Sequence, residues 1–235
     1  MKTDATKRVG QAWGPGRWAI VIATCASLSV AAGCNIIGPA SYLIAGPEKV
    51  PAAFTLDPDR TTLIFIDDPG SQLPGREARL AMGKRAEEEL LSRKLVKDMI
   101  QSREVIAITR GEKRAELTTV ASVGKALKAD VVIYALVREF TIAADGTQFI
   151  PQAVLEVKVI ESQTGKRLFP PEGEEPGSLR VTMKEPLVQS GVPTSRSQRT
   201  IAEVSAAERA GLTLARAFFD WDRDTTASRR EETER

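Results

Sequence analysis

Apolar runs and charged stretches alternate along the chain from Thr61 onward. Thr62-Leu63-Ile64-Phe65-Ile66 is short, uninterrupted and closed by Asp67-Asp68-Pro69-Gly70. That pattern predicts a buried strand stopped by turn chemistry. Arg76–Ser102 predicts a helix: Leu91, Leu95 and Met99 recur at intervals of four, while Glu87, Glu88, Arg93, Lys94 and Lys97 cover the other surface. Glu104–Thr109, reading EVIAIT, predicts a second strand. Leu117–Lys128 predicts a second helix, with Val120, Val123 and Leu127 on one side, and Val131–Ile142 a third strand. Ala144-Asp145-Gly146-Thr147 is a hairpin signal. It leads into a strand at Phe149–Glu161 with Val154, Glu156 and Lys158 on one face and Leu155, Val157 and Val159 on the other.

Thr164-Gly165-Lys166 then turns into Arg167-Leu168-Phe169. Residues Pro170–Ser197, rich in Pro, Gly and Ser, predict a long loop carrying one edge strand at Leu179–Lys184. A closing helix spans Gln198–Trp221, with Ile201, Val204, Leu212, Ala215 and Phe219 in one angular sector. Glu208 falls on the same stripe and is expected at its rim with the stem buried. The order β-α-β-α-β-β, an irregular region and a helix predicts an α/β (α+β) fold: a single mixed sheet packed by about three helices.

The flanks differ in character. Asn35–Arg60 holds Pro39, Pro47, Pro51 and Pro58, poor material for helix or central strand, and reads as a tether. Asp222–Arg235 is charged and almost free of apolar residues, so a disordered tail is expected. Lys2–Arg17 is basic, and Trp18–Ala32 is apolar or small and uncharged. That stretch suits a signal-peptide core and is short of the roughly 20 residues of a spanning helix. Ala31-Ala32-Gly33-Cys34 follows at once and resembles the lipobox of bacterial lipoproteins, with Ala31 where leucine is usual. The expected layout is a signal peptide at 1–33, lipidated Cys34 with a tether to residue 60, a domain at 61–221 and the tail at 222–235. Asn35, rather than aspartate, follows the cysteine, and the resemblance then favours an outer-membrane lipoprotein facing the periplasm.

Composition narrows the chemistry. Lys and Arg total 33 against 31 Asp and Glu, and the leader removes Lys2, Lys7, Arg8 and Arg17 against Asp4. The remainder is close to neutral, without the basic field that nucleic acid requires. There is no histidine, so a Ser-His-Asp arrangement cannot exist and the commonest metal ligand is missing. Cys25 lies in the leader and Cys34 at the cut site, which excludes a disulfide framework. Asp67-Asp68 ends a strand, but adjacent strand residues point to opposite faces, and turn formation is the better reading. Glu87-Glu88-Glu89 and Glu172, Glu174 and Glu175 lack ligand spacing. Gly111-Glu112-Lys113 and Gly165-Lys166 lack the rest of a phosphate loop. Phe218, Phe219 and Trp221 mark either core or an interaction patch. No catalytic residue, cofactor or metal site is expected.

Thr61–Asp220 resembles the curli-secretion lipoprotein family and the amino-terminal domain of the TolB family. The resemblance lies in the opening strand and helix, Ala129-Asp130-Val131-Val132-Ile133-Tyr134, the turn Glu161-Ser162-Gln163-Thr164-Gly165-Lys166-Arg167-Leu168, and a closing helix of the type Ala202–Phe219. It implies a stand-alone periplasmic α/β domain used for binding or assembly. Long alternating membrane hairpins and the length for a propeller are both missing. The expectation is a non-catalytic envelope lipoprotein, membrane-held through Cys34, that binds a protein partner in outer-membrane assembly or transport, with homo-oligomers left open. The alternative is a lipid or lipopolysaccharide carrier or assembly lipoprotein.

Overall fold

The computed structural model describes residues 49–109, 119–144, 149–184 and 193–223. Their element order is β1 (Lys49–Val50), β2 (Thr62–Asp67), α1 (Arg76–Ser92), β3 (Met99–Ile100), α2 (Ser102–Thr109), α3 (Val120–Ala126), β4 (Val131–Ala144), β5 (Phe149–Glu161), β6 (Arg167–Phe169), β7 (Leu179–Lys184), α4 (Arg196–Ala215), a 3-10 turn at Arg216–Phe218, and β8 (Trp221–Asp222).

The main sheet runs β3-β2-β4-β5-β6, with β7 beside β5. β2 is parallel to both β3 and β4, while β4, β6 and β7 are antiparallel to β5. The mixed α/β fold expected from the apolar pattern is therefore present. Strand alternation builds two apolar layers. Ile64 and Ile66 join Ile133, Leu155 and Val157 in the larger layer, covered by α1 and α4. Leu63 joins Val132, Val105 and Val123 in the smaller layer on the opposite face, under α2 and α3.

Besides the closing helix, which ends at Ala215 and leaves Trp221 to β8 instead of running to it, three expectations within the core elements change. α1 stops at Ser92 instead of running to Ser102. The Lys94 N–H bonds to Leu91 O at 2.9 Å and the Leu95 N–H to Leu90 O at 3.0 Å, with Lys94 left-handed at φ 57. This is the paired-bond helix stop usually made by glycine. Leu91, in the last turn of α1, is exposed, at 42%. Second, Glu104–Thr109 is helical: α2 takes up EVIAIT, and the parallel edge strand is Met99–Ile100. The buried Glu87 carboxylate accepts the Ser102 N–H at 2.5 Å, fixing the start of α2. Third, the buried stripe of α4 is Ala202, Ala206, Ala207, Ala210, Gly211, Leu214 and Ala215. Ile201 is 58% exposed, and Val204 and Leu212 are only half-buried. α4 approaches α1 through small residues, so large apolar side chains do not mark its contact line. Glu208 is exposed. Phe218 and Phe219 are buried, and the Arg93 guanidinium lies 3.7 Å from the Phe219 ring centre.

The segment expected as tether also packs from residue 49. Ala53 and Phe54 N–H groups bond to Ala217 O at 2.8 and 3.2 Å, and Leu56 is buried. β1 pairs with β8, placing Asp222 opposite Lys49 rather than in a tail. Residues 34–48, the hairpin turn at 145–148 and residues 224–235 lie outside the described residues. α3 begins at Val120, and Leu117 is likewise outside them.

Candidate interaction face

β7 occupies an edge of the sheet. All six of its residues pair with β5, from Leu179 opposite Val157 to Lys184 opposite Gln152. Among the described residues it pairs with nothing on its outer side. The sequence LRVTMK explains how it sits. Val181 and Met183 are buried in the larger apolar layer with Leu179 against it, while Arg180, Thr182 and Lys184 are exposed on the other face. Cross-strand pairs share a face, so Arg180 stands beside Glu156, and Glu156 beside Leu136 of β4.

That face carries an ordered polar array. The Arg138 guanidinium donates to Glu156 at 2.9 Å. This bond, with help from the Ser178 hydroxyl, holds the Glu156 carboxyl below its ordinary range and raises the Arg138 guanidinium further. A register shift between Val137 and Glu139 turns Arg138 and Glu139 both outward. Further along β4, the Tyr134 hydroxyl donates to Asp67 at 2.7 Å, and the Phe65 ring packs edge-on against Tyr134 at 5.6 Å. Burial, reinforced by Asp67, pushes the Tyr134 phenol above its ordinary value. It therefore stays a neutral donor locked to its carboxylate.

The loop before β7 is clasped from within. Arg167 of β6 donates from Nη1 to Gly177 O at 2.8 Å and from Nη2 to Pro171 O at 3.1 Å, spanning both ends. Its backbone N–H reaches the Glu172 carboxylate at 3.3 Å. Upstream, the Thr164 hydroxyl and Arg60 both donate to Glu161, at 2.6 and 2.8 Å, and hold its carboxyl below the usual range. Gly165, at φ 75, lets the turn close. The Gly165-Lys166 pair thus belongs to a strand-to-strand turn.

The other residues singled out from sequence separate cleanly. Asp68 is buried and accepts the Gln72 and Leu73 N–H groups at 2.7 and 2.9 Å, the turn role expected. Asp67 points to the other face and holds Tyr134. Glu87 starts α2, while Glu89 pairs with Arg85 and Arg93 at 3.2 and 2.6 Å on α1. Among the described residues no group of three or more acidic, His or Cys side chains is arranged to hold a metal, and no helix is long and apolar enough to cross a membrane. Cys34 and Gly111-Glu112-Lys113 lie outside the described residues. The alternation of LRVTMK displays the basic row Arg180 and Lys184. Nothing local announces the Arg167 clasp, which needs the folded positions of Pro171 and Gly177.

No protein family model matches the sequence, and no curated protein matches it. Solved structures similar in shape include the lipoprotein GNA1162 from Neisseria meningitidis, 14% identical, with a TM-score of 0.40 over 64% of this chain and 98% of that one. A PelC dodecamer from Paraburkholderia phytofirmans is 11% identical, TM-score 0.38, over 72% and 95%. The LpoB C-terminal domain from Salmonella enterica is 13% identical, TM-score 0.34, over 55% and 86%. These likenesses are remote, and the functional reading rests on the residues themselves.

Proposed function

We propose that this chain is a non-catalytic, lipid-anchored envelope protein whose α/β domain binds a protein partner along β7 by strand addition, in outer-membrane assembly or transport. The observation that carries it is the β7 edge. Six residues are paired on one side only among the described residues, backed by a buried apolar face and presented beside a clasped loop. Such an edge supplies a row of main-chain donors and acceptors to an incoming strand. The anchor is read from the apolar leader and Ala31-Ala32-Gly33-Cys34. The carboxylates of Asp67, Asp68, Glu87, Glu89, Glu156 and Glu161 are occupied by the Tyr134 hydroxyl, a turn, a helix start and ion pairs, which supports a binding rather than a catalytic role.

Purification from detergent-solubilised membranes tests the reading, combined with amide hydrogen exchange on the isolated material. A stoichiometric protein partner with slowed exchange at residues 179–184 supports it. Co-purifying lipid without a protein, and unchanged exchange at β7, would favour the lipid-carrier alternative. The anchor is tested separately by Cys34→Ser, expected to abolish palmitate labelling.

A further inference from the structure

The β7 edge also specifies what kind of strand it accepts. We propose that its partner is an extended segment in which acidic residues alternate with apolar ones, two acids lying four residues apart: acidic, apolar, any, apolar, acidic. The inference rests on the reading of β7 as the docking edge.

This face carries Arg138, Lys158, Arg180 and Lys184 against Asp67, Glu139 and Glu156, so basic residues exceed acidic ones by one, and the two charges on β7 itself are both basic. Glu156 stands directly beside Arg180 but is committed to Arg138, at 2.9 Å, and to the Ser178 hydroxyl. Among the described residues Arg180 and Lys184 have no ion pair of their own, and both are exposed. Lys158 lies on the same face, opposite Tyr134. At about 3.3 Å per residue, Arg180 and Lys184 are about 13 Å apart along one edge. A strand added there sets its own residues beside Arg180, Thr182 and Lys184 on this face. Its intervening residues extend the apolar row Leu179, Val181 and Met183. Carboxylates fit the first and third positions and apolar side chains the intervening two.

A second copy of this chain is a poor occupant. An antiparallel β7-to-β7 pair centred on Thr182 would put Arg180 of each copy against Lys184 of the other, and like charges directly opposite repel. Basic side chains on an edge also guard against indiscriminate pairing. Here the same guard leaves one class of strand able to add.

The test uses the full-length chain in detergent and four probes. These are a peptide with a Glu-Val-Thr-Val-Glu centre, the same peptide N-methylated at alternate residues, a Lys-Val-Thr-Val-Lys counterpart, and polyglutamate. The expected result is saturable binding of the first peptide, with slowed amide exchange at residues 179–184 and loss of binding on N-methylation. Arg180→Glu combined with Lys184→Glu should weaken it at least about tenfold. The same double variant should gain binding of the lysine peptide, which shows that it remains folded. Equal binding of polyglutamate or of the N-methylated peptide would mean attraction to a polyanion alone and would overturn the proposal, as would an undiminished affinity of the double variant. If only the lysine peptide protects β7 in the unaltered chain, the acidic pattern is wrong while the docking edge stands. If no peptide protects β7, both readings fall.

Discussion

A Cβ on Gly211 would lie 2.2 Å from the main-chain carbonyl oxygen of Met82. Here α4 and α1 meet backbone to backbone, and the flanking Ala207, Ala210 and Leu214 are buried around the contact. In an isolated helix alanine is favoured over glycine by about 1 kcal/mol. The clash with a backbone atom reverses that sign. Gly211→Ala is expected to lower stability by about 1–3 kcal/mol, the usual range for overpacking. A denaturant melt checks it, and a net gain would show that the two helices are further apart than described.

Lys94 is an L residue in a left-handed conformation, at φ 57, ending α1. That backbone costs a residue with a Cβ roughly 1–2 kcal/mol, partly offset by the extra freedom glycine has when unfolded. Lys94→Gly should therefore raise stability by about 0.5–1 kcal/mol. Ser92→Gly, two residues earlier inside the last helical turn, should lower it by about 0.5 kcal/mol. Thermal melts of the two variants should move in opposite directions.

The pH dependence follows from Glu161. Its carboxyl is held below the ordinary range by the Thr164 hydroxyl and then by Arg60. A depressed folded value favours the folded state above the unfolded value of about 4.3, and that contribution disappears as pH falls through the lower folded value. Glu161→Gln should melt below the unaltered protein at neutral pH. The gap should close as pH drops below about 4. A gap that persists into acid would assign the loss to geometry rather than to charge.

The strands were the legible part. Phe149–Glu161 and Leu179–Lys184 have the bounds that alternation and turn residues predict, because period-two patterning is written residue by residue. Helix ends were harder. Lys94 does not look like a stop in sequence, yet it is left-handed and closes α1, where glycine or asparagine would have been readable; α3, by contrast, closes at left-handed Lys128, the boundary expected before Ala129-Asp130. EVIAIT misled because a short apolar run fits strand or helix equally. Glu87, far back on α1, decides the matter by taking the Ser102 N–H. In α4 the contact line is made mostly of alanine with Gly211, whereas the large apolar residues Ile201 and Val204 lie off it. For the candidate face, the edge strand was visible and its basic row was readable from LRVTMK. The commitment of Glu156 to Arg138 depends on strand register and a bulge, which only the folded sheet supplies.

Photo-crosslinking in the intact cell tests the central claim most directly. A light-activated residue is placed at Thr182, exposed on the outer face of β7, and in a separate variant at Leu91, exposed on α1. The account predicts a discrete protein adduct from position 182 that is missing from position 91, and that is weakened by Arg180→Glu with Lys184→Glu. Adducts from position 91 alone, or identical adducts from both positions, would contradict docking at β7.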